Sequence, residues 1–150
     1  MSINEEILNL FEFTINDINN TFKRIDLGIV SHELGQLIKT KTGIDVTNYV
    51  ISMDTFSVKH TIERHGNPIK EAKLGQIAVQ KEHFVEILDA ILTPDNVRYD
   101  VSSHNRESLI FEKEKEGKFF VVKEIRKVLK SKKKNRIVLQ TFYIKKIKTP

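Results

Sequence analysis

Over roughly the first ninety positions the apolar residues recur at the three-to-four-residue spacing of helices, and from Ser108 onward they alternate. Ser2 and Glu5 form a capping box, and Ile3, Ile7, Leu10 and Phe11 follow at helical spacing, which predicts a first helix. Ser31 as N-cap and Gly43 just past the end bracket a second helix through "SHELGQLIKTKTG", with Gly35 as its weak point. "TNYVISMD" is short and β-branched and predicts a strand ending at Asp54. Asp54 then caps a helix through His65, and Gly66 is expected in the left-handed position that stops it. In "KEHFVEILDAIL", Phe84, Ile87, Leu88 and Ile91 share one face, and "TPDN" ends the helix.

The period-two stretches "SLIFEKE", "KFFVVKEIRKV" and "RIVLQTFYIKK" predict three strands. Glu116-Gly117 makes the first turn tight, and "KSKKKN" makes the second loose. Helices followed by a meander predict an α+β fold, with N-terminal helices packed on a small C-terminal antiparallel β-sheet. The 150 residues are read as a single domain, with 1–45 a helical extension and 46–150 the core.

Composition narrows the class. With 39% hydrophobic and 30% charged residues the chain reads as globular rather than disordered. No apolar run approaches the roughly 18–20 residues of a membrane helix, and Met1 opens no signal-peptide pattern. A membrane partner is therefore not expected, and a cytoplasmic site of action is. The absence of cysteine excludes disulfides, a thiolate nucleophile and a cysteine-based zinc site.

The net charge of +5 is unevenly spread. From Lys118 to Pro150 there are twelve basic residues and one acidic residue, whereas 1–117 carry thirteen basic and nineteen acidic, a net of −6. This asymmetry points to a polyanionic partner or to a solvated, lysine-rich edge hairpin. Lys132, Lys133 and Lys134 are the densest part of it.

The candidate chemistry lies in "KHTIERHG", residues 59–66. On a helix His60 and His65 are about 140° apart, which disfavours a shared metal, whereas His60 and Arg64 are i,i+4 neighbours. One reading is a charged helix end. The other is cleavage of RNA by its own 2′-hydroxyl, which needs a base, an acid and fixed cations around the phosphate. Histidine suits the first two roles, because it titrates near neutral pH. "QTFY" sets Thr141 and Tyr143 on one face of the last strand, where a hydroxyl and a ring can meet phosphate and base.

The runs "KTGIDVTNYVISMDTFSVKHTIERHGN", "GQIAVQKEHFVEILDAILTPDNVRYD", "LIFEKEKEGKFFVVKEIRKV" and "IVLQTFYIKK" resemble the phage nuclease and toxin domains of the barnase–EndoU–colicin–RelE superfamily. The resemblance covers roughly residues 40–146, and residues 1–39 lie outside it. It implies an RNase fold that needs no metal or other cofactor. On the matching positions it implies His60 as general base, Lys59 as adjacent phosphate-binding cation and His65 as second histidine and acid. It also implies Thr141 and Tyr143 as the hydroxyl and aromatic of colicin-D-like domains. Lys123 and Arg126 are weaker candidates for phosphate contact, expected on opposite faces of the middle strand, and Arg64 joins them by local geometry. His32, His83 and His104 are read as structural.

The implied function is a metal-independent endoribonuclease toxin acting on tRNA or another structured RNA and held by an acidic immunity or antitoxin protein. The competing reading is a non-catalytic nucleic-acid-binding phage accessory protein that uses the basic C-terminal third.

Overall fold

A computed structural model describes residues 1–101, 107–128 and 135–147, with side chains for all of these except 123–128. The cluster Lys132, Lys133 and Lys134 lies outside the described residues. The helices are α1 (Ile3–Asn16), α2 (His32–Thr42), α3 (Thr55–His65), α4 (Pro68–Lys73) and α5 (His83–Leu92). The strands are β1 (Arg24–Ile29), β2 (Val50–Asp54), β3 (Gln76–Ile77), β4 (Asn96–Val101), β5 (Glu107–Lys115), β6 (Lys118–Val128), β7 (Arg136–Val138) and β8 (Thr141–Lys146). The fold is α+β.

The predicted caps set the helix ends. Ser2, Ser31 and Asp54 each accept a hydrogen bond from the backbone N–H three residues on, and Gly43 takes the left-handed conformation after α2. Gly66 differs from expectation: at φ −91° it is right-handed. Its need for glycine is steric, because an added Cβ would lie 2.5 Å from the Ile62 carbonyl oxygen.

The sheet is larger than the expected meander. Its strands run β1-β2-β7-β6-β5-β4, with β8 also pairing β6 and β3 joining on β8. Pairing is antiparallel except between β2 and β7. The unforeseen β1 has a masked alternation, since a register shift between Asp26 and Gly28 breaks its period of two. "RIVLQTFYIKK" is not one strand. At Leu139 its backbone turns elsewhere, with the N–H donating to the Ser52 carbonyl and the carbonyl accepting from the Ser57 hydroxyl.

One core joins these elements. Ile7, Leu10 and Phe11 of α1 and Phe84, Ile87 and Ile91 of α5 pack with Phe111, Phe120, Val122 and Phe142 of the sheet. The Phe84 and Phe142 rings meet edge-on at 4.9 Å. Buried His83 accepts the Gln80 N–H on Nδ1 at 2.9 Å and so secures the entry to α5.

Candidate active site

Helix α3 carries most of the candidate chemistry, and its placement follows from its buried side. Asp54 accepts from both the backbone N–H and the hydroxyl of Ser57, which also reaches the Leu139 carbonyl at the break before β8. One turn later the buried Thr61 hydroxyl lies 3.3 Å from that of Thr141. Four helical residues rise about 6 Å and two strand residues about 6.6 Å. Thr61 on Thr141 therefore brings His65 beside Tyr143. Their rings are 5.5 Å apart and tilted by 34°.

His65 is held from its other side by a residue that the sequence reading passed over. After Gly66, Asn67 caps α4 by accepting the Ile69 and Lys70 N–H groups at 2.9 and 3.2 Å, and Pro68 occupies the first turn. This reversal folds Glu71 back so that Oε1 lies 3.2 Å from His65 Nδ1. Glu71 is only 1% exposed, and its Oε2 has no hydrogen-bond partner among the described residues. A carboxylate can only accept, so a proton on Nδ1 points toward Glu71 and Nε2 is left as the free lone pair. The signal was present in "HGNPIKE", where an N-cap and a proline announce a second helix and its acid.

Tyr143 lies on the face of the sheet opposite the aromatic core. Burial raises its pKa; Arg98 opposes that shift and Glu112 adds to it. Those two residues form an ion pair with Arg98 Nε 3.0 Å from Glu112 Oε1. Lys145 Nζ stands 5.9 Å from the Tyr143 ring centroid. The phenol is thus neutral across physiological pH, set among fixed charges, and able to donate.

The remaining candidates lie elsewhere on α3 or in β6. Lys59 is about 160° round the helix from Thr61. Its Nζ donates to Asn20 Oδ1 at 2.6 Å. There it lines a groove of about 300 Å³ between α1 and α3, together with Ile15, Asn20, Phe56 and Glu63. His60 is half-buried on the flank between these sides, and Arg64 is exposed one turn further on. In β6, Lys123 pairs with Thr141, while Arg126 pairs with Val138 and Ser108. A register shift in the β5–β6 backbone pairing lies between the two positions.

The structure thus joins His65, Glu71, Thr61, Thr141 and Tyr143 into one cluster, with His60 and Arg64 on the adjoining flank and Lys59 beyond. Among the described residues no group of three or more His, Asp and Glu side chains is placed to hold a metal ion, and no helix is long and apolar enough to cross a membrane.

No curated protein and no solved structure matches the chain. Residues 28–149 do match a family, described as phage-Barnase-EndoU-ColicinE5/D-RelE like nuclease 3. The match takes in α2 to β8 and every residue of the cluster, and it starts inside β1. The chain belongs to this family of barnase–EndoU–colicin–RelE-type nucleases.

Proposed function

We propose that this nuclease is a metal-independent endoribonuclease toxin that cuts tRNA or another structured RNA, leaving 2′,3′-cyclic phosphate and 5′-hydroxyl ends. The observation that carries the reading is His65, with Nδ1 on the buried Glu71 carboxylate and its ring against Tyr143 of the last strand. In this reading His65 Nε2 takes the proton of the 2′-hydroxyl as that oxygen bonds to phosphorus. The P–O5′ bond breaks, and the departing oxygen receives a proton from the Tyr143 hydroxyl. Glu71 stabilises the imidazolium that forms. Arg64 and His60 meet the neighbouring phosphates, and general acid–base catalysis contributes about 10²–10⁴-fold. The emphasis moves from His60 to His65 because His65 has the carboxylate that orients it.

The basic C-terminal third, Lys123, Arg126 and Lys132–Lys134 included, adds sequence-independent affinity for the RNA backbone. The same charge suits an acidic antitoxin in the cytoplasm. The test incubates total bacterial RNA in EDTA with wild type, His65→Ala and His60→Ala, and probes the fragments for cyclic-phosphate ends. Cleavage lost in His65→Ala and only weakened in His60→Ala is the expected result. Loss in His60→Ala with retention in His65→Ala would return the base to His60. Intact RNA bound by all three proteins would leave the basic third as a binding surface alone.

A further inference from the structure

On the flank of α3 away from the His65 cluster, Phe56, His60 and Arg64 succeed each other at i,i+4 spacing and form one stripe two turns long. Phe56 is 56% exposed, and it does not stand alone. Phe22, from the segment between α1 and β1 and 51% exposed, packs against it with ring centroids 5.5 Å apart. The Arg24 guanidinium lies 6.0 Å from the Phe22 ring. Two large rings left in water cost free energy that a folded chain usually avoids by burying them. Here they are fixed in place: Thr55, next to Phe56, accepts the Lys23 N–H on its hydroxyl and donates that hydroxyl to the Thr21 carbonyl.

The adjoining α1–α3 groove sets Lys59 one turn from Glu63, so those two charges offset each other and Asp17 leaves one carboxylate over. Asp17, also lining it, already accepts the Asn19 and Thr21 N–H groups. A largely apolar groove with one net negative charge, beside exposed rings, suits a flat heteroaromatic group rather than a phosphate. Arg24 at one end and His60 and Arg64 at the other suit the phosphates on either side of it.

We propose that Phe22 and Phe56 form a stacking platform for an unpaired nucleobase of a single-stranded segment whose backbone follows the Phe56–His60–Arg64 stripe. The proposal deepens the ribonuclease reading and rests on it for the identity of the strand. Phe22 and Arg24 lie outside the matched residues 28–149, so the N-terminal segment supplies this chain with a substrate contact additional to the family's own core. Cations interleaved with exposed rings favour a nucleic acid over a protein partner here.

The experiment uses full-length protein and single-stranded RNA of about twelve nucleotides, 2′-O-methylated throughout to prevent cleavage, with one 2-aminopurine stepped along it. Wild type is expected to quench the probe at one register, and Phe56→Leu and Phe22→Leu to abolish that quench and weaken binding about 5- to 100-fold. Both variants keep an apolar side chain at an exposed site, and circular dichroism verifies their fold. Leu74→Ala, a still more exposed apolar site on another part of the surface, is expected to bind as wild type. An undiminished quench in both Phe variants overturns the platform, as does wild type that fails to bind or quench the probe, in which case the patch is a protein-facing surface. Cleavage of unmodified RNA is scored separately. Quenching without cleavage would sink the ribonuclease reading and leave the platform, whereas cleavage with undiminished quenching in the variants would do the reverse.

Discussion

Replacing Glu71 by glutamine should move activity and stability in opposite directions. The side chain is 1% exposed, one oxygen lies 3.2 Å from His65 Nδ1 and the other has no partner among the described residues. As the 2′-hydroxyl proton arrives on Nε2, the ring becomes a cation with its charge centre about 4–5 Å from the carboxylate. At an effective dielectric of about 20, that attraction is about 3–4 kcal/mol. Glutamine keeps the volume and a hydrogen bond to Nδ1 but loses this term, so kcat should fall about 10²–10³-fold with KM changed by less than about threefold. Stability should hold or rise, because a buried, half-satisfied carboxylate costs about 1–3 kcal/mol or more and a neutral amide costs less. A rise of about 1 kcal/mol would appear as roughly 2–4 °C in Tm. Glu71→Asp, which restores the charge, should recover part of kcat. The measurements are steady-state kinetics on a fluorogenic RNA and calorimetry on the same preparations. Parallel loss of activity and Tm would show Glu71 to be structural, and unchanged kcat would remove His65 from the chemistry.

Other consequences follow from the same packing. Thr61→Val and Thr141→Val should each cost about 1–2 kcal/mol by leaving the other buried hydroxyl without this partner, and the double variant should cost less than the two together; strict additivity in urea unfolding would mean the 3.3 Å contact carries nothing. Gly66→Ala should destabilise by about 1–2 kcal/mol because its Cβ meets the Ile62 carbonyl, and a neutral result would mean that the α3–α4 turn yields easily. The pKa of His83 is lowered by burial and then by Lys118, with Glu86 and Glu82 opposing. A depressed folded-state pKa gives stability that is present above the unfolded value of about 6.5 and is lost as pH falls through the folded value. Unfolding free energy should therefore drop as pH falls below about 6.5, and part of that slope should vanish in His83→Gln; identical slopes would refute the assignment.

Local chemistry in the sequence determined the helix ends and the class of the fold. Ser2, Ser31 and Asp54 announce their caps because a side-chain acceptor for orphan N–H groups acts within one turn and needs no distant partner. The family pattern was legible because each of its runs is a local stretch whose order along the chain can be read directly. The sheet beyond the meander was not. β1 hides behind a bulge, the parallel β2–β7 pair joins residues more than eighty positions apart, and the last apolar run is cut at Leu139 by bonds to Ser52 and Ser57.

The candidate site divides along the same line. Sequence named both histidines and placed them on different sides of α3, and the family resemblance put His60 first. The proposal of His65 as base rests on tertiary contacts: α3 lies along β8 through Thr61 and Thr141, which brings His65 to Tyr143, and α4 doubles back to set Glu71 on Nδ1. A helix periodicity fixes which residues share a face, whereas which face meets which strand depends on the packing of the whole core. For that reason the family of this nuclease could be read from its chain, and the partnerships of its candidate residues, Glu71 with His65 above all, only from its fold.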